Sequence, residues 1–227
     1  MLDEDHEFQE FKKELVERSG EDIGFFSNKN KKEVERIAVA AFLRIMDLNF
    51  RSQEIIPNFN EENDKADVYF RNARFQVREL LDKNRKRHDE FRERHEKYSK
   101  SKSMKDCVFP YTTPTPISLQ NVIYELTLAL KEKARRYGSQ LCKELDALVV
   151  VSLKGNFLDP ISTAQNIELL KSQDWRSVSI LQRNSALVIF ASPSAPKFLC
   201  DLEGRLMIES DIVKDTNLYQ LAPYTQI

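Results

Sequence analysis

Two stretches of the chain carry apolar residues at helical spacing. From Val34 to Ile45 the apolar side chains recur with a period of 3.6 residues, which predicts an amphipathic helix that Ser27 or Asn28 can cap. A second stripe runs from Leu119 to about Tyr137, and Gly138 fits the end of that helix. Each predicted helix therefore has one face to bury against another layer.

Runs of β-branched and aromatic residues predict the strands. Three short strands are expected at about residues 51–56, 67–71 and 73–80, and the tight connection between the last two favours a hairpin. The run LDALVVVSL, at 145–153, is almost continuously apolar, as a buried parallel strand is. Later strands are predicted in SVSILQ, in ALVIFA and at 205–209, and further helices at about 82–100, 161–172 and 196–204.

The order of these elements predicts a mixed central sheet flanked by helices, which is an α/β fold. A Pro-rich segment near residues 110–116 does not separate two self-sufficient cores, because the strands before it lack a second layer. We therefore expect one domain over residues 23–227. Residues 1–22 are expected to form an acidic arm or a marginal helix.

Charge is distributed unevenly, although the formal net charge is only −1. Residues 1–22 contain nine acidic and three basic residues, whereas residues 83–105 contain ten Lys or Arg and four Asp or Glu. This asymmetry indicates an acidic segment and a basic face, and an ordinary solvated helix surface explains the basic run equally well.

Several kinds of chemistry find no support in the sequence. The three cysteines are far apart, the three histidines lack zinc-site spacing, and there is no phosphate-binding glycine loop or nucleophile elbow. The acidic N-terminus is unlike a targeting peptide, and the apolar runs are too short to span a bilayer. We expect a reduced, cytoplasmic protein.

Polar residues of the predicted hairpin form a candidate site. Alternation along a strand places Gln76 and Arg78 on one side, and Asp67 begins the neighbouring strand. Glu35, or else Glu33, flanks the apolar stripe of the first helix. Each of these side chains also has an ordinary explanation as a strand-end acid, a surface amide or a member of a surface ion pair.

This set of residue types suits the hydrolysis of a phosphodiester. Carboxylate and amide oxygens from Asp67, Glu35 and Gln76 would hold Mg²⁺ or Mn²⁺, and Arg78 would stabilise developing negative charge. The basic helix that follows could contact a nucleic-acid backbone through Arg85, Lys86 and Arg87.

Four segments, FFSNKNKKEVERIAVAAFL, ADVYFRNARFQVRELLD, RKRHDEFRE and WRSVSIL, resemble a bacterial family of domains of unknown function described as candidate endonucleases. The resemblance covers roughly residues 23–200. It implies a restriction-endonuclease-like fold, the PD-(D/E)xK nuclease core, and a metal-dependent endonuclease that acts on nucleic acid, with DNA favoured.

The resemblance also implies roles for individual positions. Asp67 would match the metal-binding aspartate, Gln76 the second acidic position, and Arg78 the lysine, while Glu35 or Glu33 would match the helix acid. Gln76 brings no charge, so an ion would be held less tightly than by two carboxylates. Arg78 stays protonated and cannot act as a base.

Two alternative functions remain open. The chain could be a nucleic-acid-binding module whose catalytic site has degenerated, in which case the basic helix matters and Asp67 does not. It could also be a protein-interaction or regulatory domain on the same fold, with a homodimer or another protein as its partner.

Overall fold

The computed structural model describes residues 2–60, 62, 64–83, 85–110, 113–153, 155–159 and 167–209. Within it the chain forms two compact units, one of Met1–Val34 with Lys83–Thr113 and one of Glu35–Asp82 with Pro114–Ile227. The expected boundary at residue 22 differs from this division, because the segment after residue 82 packs with the N-terminal helix. None of the helices in the described residues is long and apolar enough to cross a membrane.

The first unit is built from helices. Helix α1 (Leu2–Phe25) precedes α2 (Lys31–Ile45), whose first turn belongs to this unit, and α3 (Arg87–Lys100) packs along α1. The Ser19 Oγ and His95 Nδ1 atoms lie 2.9 Å apart across the α1–α3 contact. The acidic N-terminal segment is thus a continuous helix with a partner helix.

The second unit contains a seven-stranded mixed sheet in the order β1-β2-β3-β5-β7-β8-β9. Strands β3, β5 and β7 are parallel, and the other neighbours are antiparallel. The strands are β1 (Ile55–Pro57), β2 (Val68–Phe70), β3 (Ala73–Leu81), β5 (Asp146–Ser152), β7 (Ser177–Gln182), β8 (Ser185–Ala191) and β9 (Leu206–Ile208). Strands β4 (Thr115–Ile117) and β6 (Asn156–Leu158) form a separate parallel pair.

Two apolar cores cover the two faces of this sheet. Helix α4 (Leu119–Tyr137) buries Leu126 and Leu130 against one face, together with Val149 of β5. The part of α2 that belongs to this unit packs on the other face, where Phe42 meets Phe75. Short helices α5 (Ser139–Cys142), α6 (Glu168–Lys171) and α7 (Lys197–Asp201) complete the unit. The mixed sheet flanked by helices is therefore confirmed.

A two-residue turn joins β2 and β3. Arg71 adopts a left-handed backbone conformation there, with φ at 51°, which is uncommon for a residue that is not glycine. Its guanidinium donates to the Asn49 carbonyl oxygen at 2.7 Å and lies over the Phe70 ring, 4.7 Å from the centroid. The side chain thus ties this turn to the rest of the unit.

The carboxylate of Asp146 connects the first residues of the three parallel strands. Asp146 is fully buried, and it accepts hydrogen bonds from the Arg74 backbone N–H at 3.0 Å and the Ser177 hydroxyl at 2.8 Å. The Arg176 guanidinium donates to both of its oxygens, with Nε at 3.0 Å from Oδ1. Four donors, two of them from the cationic guanidinium of Arg176, satisfy this buried charge.

Several predicted boundaries are corrected. Residues 52–54 form a 3₁₀ turn closed by Glu54 on the Arg51 N–H, so the strand expected from residue 51 begins only at Ile55. The helix expected from residue 82 begins at Arg87, because β3 continues to Leu81. The late helix and strand are shorter than expected. The expected helix at 161–172 lies partly outside the described residues.

Replacing Asp146 with Ala should destabilise the second unit strongly. The change removes the carboxylate partner of the largely buried Arg176 guanidinium, which keeps only the Asn72 carbonyl oxygen as an acceptor, and leaves the Arg74 N–H and the Ser177 hydroxyl without this acceptor. Breaking a buried pair in this way costs roughly 3–5 kcal/mol. Urea unfolding at neutral pH measures the loss. Asp201→Ala removes an exposed carboxylate that pairs with Lys197 on α7 and should cost less than about 1 kcal/mol. Equal losses in the two variants would contradict this role.

Candidate functional site

Asp67 and Gln76 lie side by side on neighbouring strands. The antiparallel register pairs Val68 with Phe75, which places Asp67 opposite Gln76. Both side chains are buried, with 5% and 2% of their surfaces exposed. The Gln76 amide Nε2 donates to Asp67 Oδ2, and the Val77 backbone N–H donates to the same oxygen at 2.8 Å. The structure therefore brings together the two central residues of the predicted site.

A lysine of helix α4, which packs on this face of the sheet, also contacts Gln76. Lys133 of α4 donates from Nζ to Gln76 Oε1 at 2.7 Å. The amide orientation follows from its neighbours, because only the N–H₂ group can face a carboxylate and only the oxygen can face an ammonium group. Gln76 thus bridges an anion and a cation, and we call Asp67, Gln76 and Lys133 the bridged cluster.

The helical periodicity of α4 indicates that Lys133 lies on its buried face. The buried stripe of α4 includes Leu126 and Leu130, and the next positions on that face are Lys133 and Tyr137. A lysine on the apolar face of a helix points its long side chain along a core surface. Such a residue is a candidate partner for a buried polar group on the facing sheet.

The loop before Asp67 is fixed by a buried asparagine. Asn58 is 4% exposed, and its Nδ2 donates to the carbonyl oxygens of Ala66 at 2.7 Å and Asp64 at 3.1 Å. Its backbone N–H donates to the Asp67 carbonyl oxygen at 2.8 Å. Asn58 was not among the predicted residues, and it sets the position from which the Asp67 side chain projects.

Asp64 stabilises the same loop from its other side. Its carboxylate accepts from the Ala66 N–H at 2.9 Å, from Arg74 Nη2 at 2.8 Å and from the Tyr69 hydroxyl. Burial acts to raise the pKa of Asp64, but these hydrogen bonds outweigh it and lower the pKa below 3.8. Burial and the Asp64 contact raise the pKa of Tyr69 to about 12, so the phenol remains a donor.

The other charged residues predicted for the site are not members of the bridged cluster. Arg78 is exposed on β3, two residues beyond Gln76. Glu35 is buried on the stripe of α2 that faces the sheet, on the side opposite to α4, and Glu33 falls within the first unit. The roles of Arg78, Glu35 and Glu33 stay predictions.

The predicted phosphate contacts in the first unit differ in their surroundings. Arg85 forms a two-point ion pair with Glu90, with distances of 2.6 and 2.8 Å. Arg87 is buried, and its guanidinium lies 5.3 Å from the centroid of the Phe26 ring. Lys86 is exposed. This arrangement favours Lys86 among the three residues, and their contact with nucleic acid stays a prediction.

Asp67 is better placed than Gln76 to bind a divalent cation. Mg²⁺ is commonly held by one or two carboxylates, with water and phosphate completing its shell, and Asp67 provides such a group. Gln76 Oε1 already accepts from the Lys133 ammonium group, so it is not aimed at a metal in this conformation. Within the described residues, no group of three or more His, Cys, Asp or Glu side chains could hold a metal ion.

We expect Asp64→Asn to lose less stability than the wild type as the pH falls. A carboxyl whose folded-state pKa is lowered stabilises the protein above its ordinary pKa, and this contribution is lost as the pH falls through the folded-state value. The variant should therefore be less stable than the wild type at pH 7, by an amount that shrinks as the solution is acidified below about pH 4.

Urea unfolding across this pH range makes the comparison. Tyr69→Phe removes one donor to Asp64 and should reproduce part of the effect. A difference between Asp64→Asn and the wild type that stays constant as the pH falls would contradict the assigned role of Asp64.

A solved structure shares this fold. It is a protein of unknown function from Pseudomonas aeruginosa strain PAO1 whose name places it in the monooxygenase superfamily. The TM-score is 0.62 and the sequences are 24% identical, over 88% of this chain and 95% of that one. At this identity the likeness shows the fold alone. No curated protein matches the chain.

A family model covers nearly the whole chain. The model is described as "Putative endonuclease, protein of unknown function (DUF1780)", and it matches residues 5–214. This range covers most of both compact units and every member of the bridged cluster. The chain therefore belongs to the DUF1780 family.

Proposed function

We propose that the protein is a metal-dependent endonuclease with a restriction-endonuclease-like, PD-(D/E)xK core. The observation that carries the proposal is the bridged cluster, in which a buried carboxylate, an amide and an ammonium group meet on one face of the sheet. The family description supports the reaction class, and it suggests nucleic acid as the substrate, with DNA favoured.

The order of elements in the second unit supports the proposed core. Helix α2 is followed by the antiparallel strands β1, β2 and β3, then by α4 and the parallel strand β5. The nuclease core that the resemblance implies has a first helix, a three-strand meander, a helix and a parallel strand, and this order agrees with it. Asp67 precedes β2 and Gln76 lies on β3, at the positions where that core has its acidic residues.

Each residue of the cluster has a proposed task. Asp67 would hold Mg²⁺ or Mn²⁺, whereas Glu35 lies on the opposite side of the sheet and is not assigned to this ion. When bound, the ion polarises the phosphate and makes water a better nucleophile. Lys133 supplies the positive charge that stabilises negative charge on the phosphate oxygens. Gln76 fixes the positions of Asp67 and Lys133, and Arg78 braces the phosphate from the exposed part of β3.

Lys133 removes one difficulty of the sequence-based interpretation. Arginine at position 78 carries a planar, delocalised guanidinium, whereas lysine carries a compact ammonium group. With Lys133 in contact with Gln76, the site has a lysine although β3 itself does not provide one. The resemblance implies a lysine on β3, and the proposal assigns this role to Lys133 of α4.

A second candidate function is a nucleic-acid-binding module without nuclease activity. It is favoured by the same contacts, because an amide that links a carboxylate to an ammonium group also satisfies buried polar atoms as a purely structural network would. In that case the cluster stabilises the second unit, and binding to nucleic acid does not depend on a metal.

Cleavage assays distinguish the two functions. Purified protein is incubated with DNA and with RNA in Mg²⁺ or Mn²⁺, and the nuclease proposal predicts cutting that EDTA abolishes. Asp67→Ala and Lys133→Met should each lower the rate by at least about 100-fold, as expected when one charged group at a reacting phosphate is removed. Lys133→Arg, which keeps the charge, should retain part of the activity.

Asp201→Ala is the control for these variants, because its carboxylate lies exposed on α7. Cleavage that survives Asp67→Ala or proceeds in EDTA would reject the assigned site. Correct folding of each variant is checked by its urea unfolding curve.

Gln76→Glu offers a test that does not depend on activity. It places a second carboxylate beside Asp67, where the neutral amide now lies. Two carboxylates hold a hard divalent cation more tightly than one, so the affinity for Mn²⁺ measured by calorimetry should rise at least about tenfold. Asp67→Ala should lose the Mn²⁺ binding of the wild type. An unchanged affinity in both variants would place the metal elsewhere.

A further inference from the structure

The segment that follows α3 in the first unit exposes apolar side chains among lysines. Val108, Phe109 and Met104 have 67%, 42% and 50% of their surfaces exposed. Lys100 at the end of α3, and Lys102 and Lys105 in this segment, are exposed. We infer that this surface, which we call the Lys–Phe surface, binds single-stranded nucleic acid, with the lysines on the phosphates and the Phe109 ring against an unpaired base.

The backbone beneath this surface is fixed rather than loose. Asp106 Oδ2 accepts from the backbone N–H groups of Lys102 and Ser103, both at 2.9 Å, and closes a short 3₁₀ helix at Met104–Cys107. Cys107 is buried and anchors that helix. An ordered surface loses less conformational entropy on binding than a loose loop would.

The end of α3 is also tied to α1. Lys12 Nζ donates to the Ser101 carbonyl oxygen at 2.8 Å, and the Ser101 hydroxyl donates to the Lys97 carbonyl oxygen at 2.8 Å. Ser101 is buried, so the lysines on either side of it project from a held backbone. The partner helix thus sets the direction in which the basic segment leaves α3.

The charges of this surface are available to an anion. Lys100 pairs with Glu96, but both side chains are more than 60% exposed, and such pairs contribute little and exchange readily for a phosphate. Backbone donors, chiefly the Lys102 N–H, lower the pKa of Asp106 and hold its carboxylate against the backbone. Residues 100–109 contain three lysines and this one acid, so positive charge dominates the segment.

The Phe109 ring is held by neighbours that leave part of it open. Tyr98 contacts it edge-on, with centroids 5.8 Å apart, and Lys97 Nζ lies 3.9 Å from its centroid. The same ammonium group donates to the Val108 carbonyl oxygen at 2.5 Å. Basic groups that alternate with an exposed ring are the combination that single strands require, since unpaired bases stack on aromatic faces.

A single strand fits these features better than a duplex or a lipid surface. Bases in a duplex are already stacked on each other, so an exposed ring gains little from them. Helices that lie on membranes bury a continuous apolar face over many residues, whereas here the apolar residues stand on a short 3₁₀ helix and the extended chain after it. The inference takes from the proposed function only that the ligand is nucleic acid.

Fluorescence anisotropy with a labelled oligothymidine, measured on the full chain in EDTA, tests this inference. Phe109→Ala should weaken binding by about tenfold, the loss expected for one stacked base. Phe109→Trp should bind at least as tightly as the wild type. Phe109→Leu keeps apolar bulk without a ring and should lose as much affinity as Phe109→Ala.

The lysines are tested through the salt dependence of binding. Lys102→Glu and Lys105→Glu should each weaken binding and reduce the slope of log K against log salt by roughly 0.7 or more, as the loss of a phosphate contact on a single strand does. Phe59→Ala is the matched control, because its ring is 83% exposed in the second unit and should not affect affinity.

Three results would overturn the inference. They are wild-type affinity in Phe109→Ala or Phe109→Leu, a duplex that binds as tightly with the same dependence on Phe109, or binding to anionic phosphatidylglycerol vesicles with none to the oligonucleotide. Asp201→Ala, which removes an exposed carboxylate on α7 in the second unit, should bind the oligonucleotide like the wild type. If binding depends on Phe109 but no cleavage occurs, the nuclease proposal alone fails.

Discussion

The buried carboxylate of Asp146 fixes the alignment on which the second unit depends. It lies level with Phe75 of β3 and Ser177 of β7, and from the beginning of β5 it binds donors at the beginnings of both neighbouring parallel strands. Side chains alternate along a strand, so a shift of one residue would turn Gln76 from the α4 face to the α2 face. Because the register is held at this end, the amide of Gln76 meets Lys133 instead of the opposite core.

The bridged cluster combines properties that rarely coincide in a core. A buried carboxylate requires donors, and Asp67 obtains them from one side chain and one backbone group. The ammonium group of Lys133 adds a charge that reaches the sheet without lying deep within it. A phosphate at this position would contact the positive charge of Lys133. The amide of Gln76 holds the Asp67 carboxylate and the Lys133 ammonium group in fixed positions.

Local periodicity predicted most of the elements, because it depends on which face of each helix or strand is buried. The alternation in ADVYFRNARFQV placed Asp67 beside Gln76, and the structure shows that pair. Periodicity places Lys133 on the buried face of α4 but cannot show its partner, because Gln76 is 57 residues away in sequence and meets Lys133 only through the packing of α4 on the sheet. The role of Asn58 was hidden for a similar reason, since its partners are backbone carbonyl groups of a loop.

The charged segment after β3 shows the limit of counting charges. Ten basic residues in a short stretch suggested either a basic face that contacts phosphates or an ordinary solvated helix surface. Arg85 and Arg87 are instead used within the first unit, one against Glu90 and the other against an aromatic ring. A sequence shows how many cations a segment has, but only packing decides which of them face solvent.

The turn at Arg71 has a consequence for how the protein can change over evolutionary time. The connection is only two residues long. An insertion there would shift the pairing of β2 with β3, so the Asp67 carboxylate would no longer lie opposite the Gln76 amide. Glycine would adopt the left-handed backbone more easily, yet it would give up the guanidinium contacts with Asn49 and Phe70. Sequence drift at this bend is therefore constrained on two counts, the length of the loop and the reach of a single side chain.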